Sequence, residues 1–127
     1  MIKEQNRKKI LIVDDDEVVR SLLTRIVKKL GGEVVCAGSS GEALTKLKES
    51  PAFDLIIMDL IMPGESGWEF LNALHRNTDL SEIPVVVITG VLLSENETKK
   101  LRSRACAVVQ KGLFDVENFR KLVDDLI

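Results

Sequence analysis

Short apolar runs rich in β-branched residues alternate along this chain with longer stretches whose apolar residues recur every three or four positions. Five runs stand out: Lys9 to Val13, Glu33 to Ala37, Leu55 to Met58, Val85 to Thr89 and Ala107 to Gln110. Strand-length runs separated by helical periodicity predict βαβ units, and hence a parallel sheet. The first, third and fourth runs are apolar almost throughout instead of alternating, the pattern of central strands covered by helices on both faces.

Five helices are expected in the intervals. The first runs from about Glu17 to Leu30, with Val19, Leu22, Leu23, Ile26 and Leu30 at helical spacing, and ends at Gly31-Gly32, where a left-handed turn costs little. The second, about Gly41 to Glu49, follows a Ser39-Ser40 cap and stops before Pro51. The third, about Trp68 to Arg76, carries Phe70, Leu71 and Leu74. The fourth begins at Ser94, which has the capping-box spacing to Glu97, and continues to about Ser103. Leu101 is almost its only large apolar residue, so this helix is expected to be the least firmly docked. The fifth starts after Asp115 and is expected to bury Phe119, Leu122, Val123 and Leu126. The fold class is therefore α/β, one (βα)5 domain over residues 1–127 with its core from about residue 8.

A length of 127 residues suits one domain and leads us to expect no separate output domain. Eighteen basic against twenty acidic side chains leave a formal charge of −2, so no global basic field exists to hold nucleic acid or an anionic membrane. The polar, basic N-terminus and the shortness of every apolar run argue against a signal peptide or a membrane span, and the expected location is the cytoplasm. Cys36 and Cys106 lie far apart in apolar surroundings and form no CxxC, so they are expected to be buried free thiols.

In open parallel sheets ligands bind outside the carboxyl ends of the strands, which directs attention to the residue that closes each run. The first run ends in Asp14-Asp15-Asp16, the third in Asp59, the fourth in Thr89 and the fifth in Lys111. If these strands are neighbours, several carboxylates, one hydroxyl and one ammonium converge on one rim. Carboxylates held so close repel and raise at least one pKa. A hard divalent cation removes the conflict, and magnesium takes an oxygen shell of the kind this cluster can supply. A simple turn or helix cap would account for Asp16, but not for Asp59 or Lys111.

These residues lie in the stretches KKILIVDDDEVVR, FDLIIMDLIMPGESGWEFL, PVVVITG and VVQKG. Together, in this order and spacing, they resemble the receiver domain of bacterial two-component response regulators. The resemblance covers essentially the whole chain. It implies a flavodoxin-like (CheY-like) three-layer sandwich with a five-stranded parallel sheet in the order 2-1-3-4-5. It also implies that Asp59 is the phosphoacceptor and that Asp14, Asp15, Asp59 and the backbone carbonyl of Ile61 hold Mg²⁺. By the same match, Thr89 supplies a hydroxyl to the phosphoryl group and Lys111 an ammonium. The implied partners are a sensor histidine kinase or a histidine phosphotransfer protein as donor and an unknown downstream protein as reader. A homodimer through the fourth helix, fifth strand and fifth helix is also implied, with no direct contact to nucleic acid or membrane.

The departures from the family pattern surround the fifth strand. Gly112 stands where proline usually follows the lysine, Val108 where a switching aromatic is common, and Arg104 where a glycine is usual shortly before. A looser or differently held loop and a different switching route are therefore expected. The stretch QKGLFDVENF resembles receivers attached to hybrid sensor kinases. Ile61 and Val91, two residues beyond Asp59 and Thr89, are apolar and cannot hydrogen-bond a water attacking an acyl phosphate, which predicts a long-lived phosphoryl state.

His75 is expected to be an ordinary exposed or capping residue and Trp68 to pack locally. The basic stretch Lys99, Lys100, Arg102 and Arg104 is expected to be a solvated helix face. The run Val91-Leu92-Leu93 suits either an exposed patch or burial beneath the fourth helix. Three function classes follow: a phosphorylatable receiver that is no conventional enzyme, an aspartyl-phosphate hydrolase, and a receiver-like interaction scaffold without phosphorylation. Ile61 offers no proton to a hydrolase, and a scaffold has no need of the whole polar set, so the first class is favoured.

Overall fold

The computed structural model describes residues 7–50 and 52–127. Strands and helices alternate along it: β1 (Lys9–Val13), α1 (Glu17–Lys29), β2 (Glu33–Ala37), α2 (Ser40–Glu49), β3 (Leu55–Asp59), α3 (Gly67–Arg76), β4 (Val85–Thr89), α4 (Glu95–Arg102), β5 (Ala107–Gln110) and α5 (Val116–Leu126). The five strands form one parallel sheet in the order β2-β1-β3-β4-β5, as expected. Pro51, which was expected to stop α2, and residues 1–6 lie outside the described residues.

Period-two alternation within the strands divides the core into two clusters. Leu11, Val13, Ile56, Met58, Val85 and Val87 face α2, α3 and α4, with Leu47, Phe70, Leu71 and Leu101 packed against them. Ile10, Ile12, Leu55, Ile57, Val86 and Ile88 face α1 and α5, meeting Leu23, Ile26, Val27, Phe119 and Val123. Every residue of β3 and β4 is buried, because each strand is covered on both faces and flanked on both edges. On the outer strands β2 and β5, most positions are only half-buried.

Helix ends follow the local chemistry. Asp16 caps α1 by accepting from Val18 N–H and Val19 N–H, and Ser39 caps α2 by accepting from Glu42 N–H. Ser94 and Glu97 close a reciprocal capping box on α4. Asp115 caps α5. Gly31 takes φ 86° just past α1, a conformation that favours glycine.

Several sequence expectations need correction. The buried stripe of α1 runs through Leu23, Ile26 and Val27, whereas Leu22 is exposed, because the stripe is centred about one residue further along than the apolar spacing suggested. On α5, Leu122 and Leu126 reach only half-burial beside Phe119 and Val123. The thiols are not both buried: Cys106 is exposed between α4 and the edge strand β5, and Cys36 on edge strand β2 is half-buried beside the Thr24 hydroxyl at 3.4 Å. Both sit where the sheet is covered on fewer sides than an apolar run implies. Between β3 and α3, where the apolar periodicity marks no element, the chain forms a small hairpin, Ile61–Met62 pairing antiparallel with Glu65–Ser66.

Helix α4 is tied down by few groups. Leu101 is its one fully buried residue, Lys100 Nζ lies 4.9 Å over the Trp68 ring, and Arg104 beyond its end donates to Asn72 Oδ1 at 3.3 Å. Leu101→Ala is therefore expected to cost about 2–4 kcal/mol in a chemical denaturation experiment. Amides of α4 should lose hydrogen-exchange protection before those of β3.

Candidate functional site

At the carboxyl end of the sheet, β1 and β3 run side by side and deliver Asp14 and Asp59 to one rim, with 1% and 5% of their surfaces exposed. Lys111, the residue after β5, reaches back across β4. Its ammonium lies 2.8 Å from Asp59 Oδ2 and 3.6 Å from Asp14 Oδ2. The other oxygens are also engaged: Asp14 Oδ1 accepts Asp16 N–H at 2.9 Å, and Asp59 Oδ1 accepts Ile61 N–H at 3.1 Å. Both carboxylates are therefore fixed in direction as well as in place.

Asp15 is exposed on the loop after β1, yet an oxygen from each of Asp14, Asp15 and Asp59 can lie within 4.8 Å of the others. Three converging carboxylates are a hard oxygen donor set suited to a divalent cation such as magnesium. Thr89, fully buried at the end of β4, accepts Val91 N–H on its hydroxyl at 3.2 Å. Ile61 opens the hairpin, and its side chain and that of Val91 are both exposed. The sequence-predicted residues thus gather on one rim, with Asp14, Asp59 and Lys111 in direct contact.

One supporting residue went unrecognised in the sequence. Arg20, on the second turn of α1, donates from Nη1 to the Asp14 backbone carbonyl at 2.7 Å and so clamps the loop that carries the acid pair. Nothing in the sequence separates it from the other basic residues of that helix.

The electrostatics show incomplete compensation. Burial pushes the Asp14 carboxyl above its ordinary value, and the charges of Asp59 and Asp15 act the same way. The Asp16 N–H and the Lys111 ammonium oppose them without prevailing. For Lys111, burial alone would lower the pKa. The hydrogen bond and charge of Asp59, with the charge of Asp14, outweigh it and hold the ammonium above its ordinary value. One lysine does not balance the cluster, which leaves room for a further cation.

Lys111–Leu113 form one 3-10 turn, closed by Phe114 N–H on the Lys111 carbonyl at 3.3 Å, and no peptide bond among the described residues is cis. Val108 is half-buried against the α2–α4 side of the core.

Residues 10–124 match the family model described as the response regulator receiver domain. The chain belongs to that family. The receiver domain is 31% identical to protein PilH of Pseudomonas aeruginosa over 93 residues, covering 73% of this chain and 74% of that protein. It is 30% identical to the gliding motility regulatory protein of Myxococcus xanthus over 120 residues, 94% of this chain but 15% of that protein. With the phosphate regulon transcriptional regulatory protein PhoB of Escherichia coli it shares 31% identity over 82% of this chain and 45% of that protein. The receiver domain thus spans less than half the length of two of these three relatives. Among solved structures, the chemotaxis response regulator CheY4 of Vibrio cholerae superposes with a TM-score of 0.83 at 27% identity, covering 95% of this chain and 99% of that one. A response regulator receiver protein from Pseudomonas putida gives 0.84 at 25% identity, covering 94% and 97%. This is a CheY-like receiver module of two-component signalling. No helix among the described residues is long and apolar enough to cross a membrane.

The shifted groups predict how stability depends on pH without a divalent cation. A carboxyl whose pKa is raised by folding costs nothing below its unfolded value, and its cost grows until pH passes the folded value. Lys111, raised, contributes stability that is complete below its ordinary ammonium range and is lost as pH rises through the folded value. Asp14→Asn should therefore raise the melting temperature at neutral pH in chelator. It should also flatten the fall in stability just above the ordinary carboxylate range. Thermal melts of both proteins across pH check this.

Proposed function

We propose that this domain is a phosphoacceptor in two-component signal transduction, taking a phosphoryl group from a histidine kinase or histidine phosphotransfer protein onto Asp59. The observation that supports it most is the contact of the Lys111 ammonium with Asp59 Oδ2 at 2.8 Å, beside buried Asp14, at the strand ends of a receiver fold. One Asp59 oxygen forms the new O–P bond as the donor's N–P bond breaks, and the electron pair of that bond leaves on the imidazole nitrogen. Such a transfer depends on positioning and charge neutralisation more than on covalent assistance. Lys111 is within reach to pair with the transferred group's oxygens, and the Thr89 hydroxyl, which accepts from Val91 N–H, has its own hydrogen to donate to a phosphoryl oxygen. Asp14, Asp15, Asp59 and the Ile61 carbonyl would hold a magnesium ion, which when bound neutralises phosphoryl charge.

The added charge would shift the population of conformers that a downstream protein reads. Val108 is too small for a large rotamer switch, so the loop after Thr89 and the lightly docked α4 are the elements free to respond. Leu93 packs against the core while Leu92 and Val91 stay exposed, so that loop carries a small apolar surface for a reader. Self-association through α4, β5 and α5 would use the outer strand of the sheet.

Incubation with Mg²⁺ and acetyl phosphate, followed by intact mass measurement, should show a gain of one phosphoryl group, abolished by Asp59→Asn or by chelation. Phosphate release without an adduct would point to a hydrolase, and neither adduct nor release to a scaffold. An adduct that survives Asp59→Asn would mean another acceptor. Because the exposed side chains of Ile61 and Val91 at the rim carry no hydrogen-bonding group, label on Asp59 should outlast seconds after removal of the phosphodonor. Loss within seconds would contradict that expectation.

A further inference from the structure

The hairpin between β3 and α3 has a bearing on the acceptor carboxylate itself. Its first residue, Ile61, donates the N–H that Asp59 Oδ1 accepts at 3.1 Å, so the direction of that carboxylate depends on where the hairpin sits. The base is fixed by Gly67 N–H on the Leu60 carbonyl at 3.0 Å, an approach so close that a Cβ on Gly67 would overlap the Leu60 backbone. The tip, Pro63-Gly64, is exposed, with Gly64 at φ 71°.

The second strand of the hairpin is tied to a different part of the molecule. Glu65 Oε2 accepts the Ser40 N–H at 2.9 Å, across 25 residues of sequence, in a partly buried position. Ser40 is the first residue of α2, where backbone N–H groups have no partner within the helix and the helix dipole favours a carboxylate. Glu65 pairs with Met62, which is buried and adjoins Ile61. The sequence of contacts is continuous: α2 holds Glu65, Glu65 holds the hairpin, and the hairpin aims the Ile61 N–H at Asp59.

We infer that Glu65 is a positioning residue for Asp59, acting through the hairpin by tethering it to the first turn of α2. The inference rests on the reading of Asp59 as phosphoacceptor. An attacking oxygen reacts efficiently only when held close to its line of approach, so a hairpin left to drift would slow transfer.

Two substitutions remove the tether from opposite sides. Glu65→Ala deletes the acceptor. Ser40→Pro deletes the donor at a first helical position, which tolerates proline, and follows Ser39, whose extended backbone (φ −154°, ψ 162°) suits a residue before proline. The Ser40 hydroxyl is buried without a hydrogen-bond partner, so Ser40→Pro removes no side-chain hydrogen bond. Each variant is expected to speed amide hydrogen exchange at Ile61, followed by NMR. Each should also slow acyl phosphate formation from acetyl phosphate at saturating Mg²⁺ by about fivefold, as the loss of one orienting hydrogen bond suggests. The double variant should be no slower than either single one, because both remove the same contact. Glu65→Gln retains an acceptor oxygen and should restore most of the rate.

Unchanged Ile61 exchange or an unchanged phosphorylation rate in Glu65→Ala would overturn the inference. So would losses that multiply in the double variant, or a Glu65→Gln protein as slow as Glu65→Ala. Should one single variant fail to fold, the other carries the same comparison with wild type and with Glu65→Gln. If the wild-type domain itself gains no phosphoryl group on Asp59, the functional reading fails, and the tether then stands or falls on amide exchange alone.

Discussion

Two carboxylates buried side by side at the ends of adjacent strands are a standing electrostatic cost, and the arrangement of this domain follows from how that cost is met. Asp14 and Asp59 are held there by β1 and β3, central strands that cannot shift without breaking both halves of the core. The single ammonium of Lys111 reaches them from beyond β5 and opposes that cost without cancelling it, since burial above all still holds the Asp14 carboxyl above its ordinary value. Such a rim of carboxylates suits the cation that the proposed function calls for. Poor self-compensation is destabilising for the apo fold and useful for the proposed chemistry.

Around that core of charge, firmness is graded. β3 and β4 are buried along their whole length and deliver Asp59 and Thr89 from the most rigid part of the sheet. The loops that complete the rim are held by a few hydrogen bonds each, among them Arg20 on the Asp14 carbonyl, Glu65 on the first turn of α2, and the 3-10 turn after Lys111. Helix α4, anchored chiefly by Leu101, lies at the loose end of the range. Rigid placement of Asp59 with looser placement of its surroundings suits the proposed role, in which added charge is converted into a change of shape.

The secondary structure was largely legible because both kinds of periodicity are strong and the caps are explicit. Ser39, Ser94 and Asp115 all cap the helices that their spacing suggested. Burial was less legible wherever it depended on neighbours. Leu22 has the right spacing for α1's apolar stripe but faces outward, and Cys106 sits in an apolar run beside an edge strand that leaves it exposed. The small hairpin after β3 was missed because two-residue strands have no period to detect.

The sequence by itself determined the strand and helix alternation, the two-sided cover of the central strands, and the candidate polar residues that close the runs. Those features are local: they depend on which residue follows which, and on a motif order that resembles one family. Tertiary structure alone decided what the residues do to one another. Only the strand order brings Lys111 to Asp59 across 52 positions, and only the packing of α1 over the rim sets Arg20 on the Asp14 carbonyl. The Glu65 tether to Ser40 likewise joins a hairpin strand to a helix start whose local sequences carry no trace of each other, because a hydrogen bond between distant segments depends on the geometry of the whole fold.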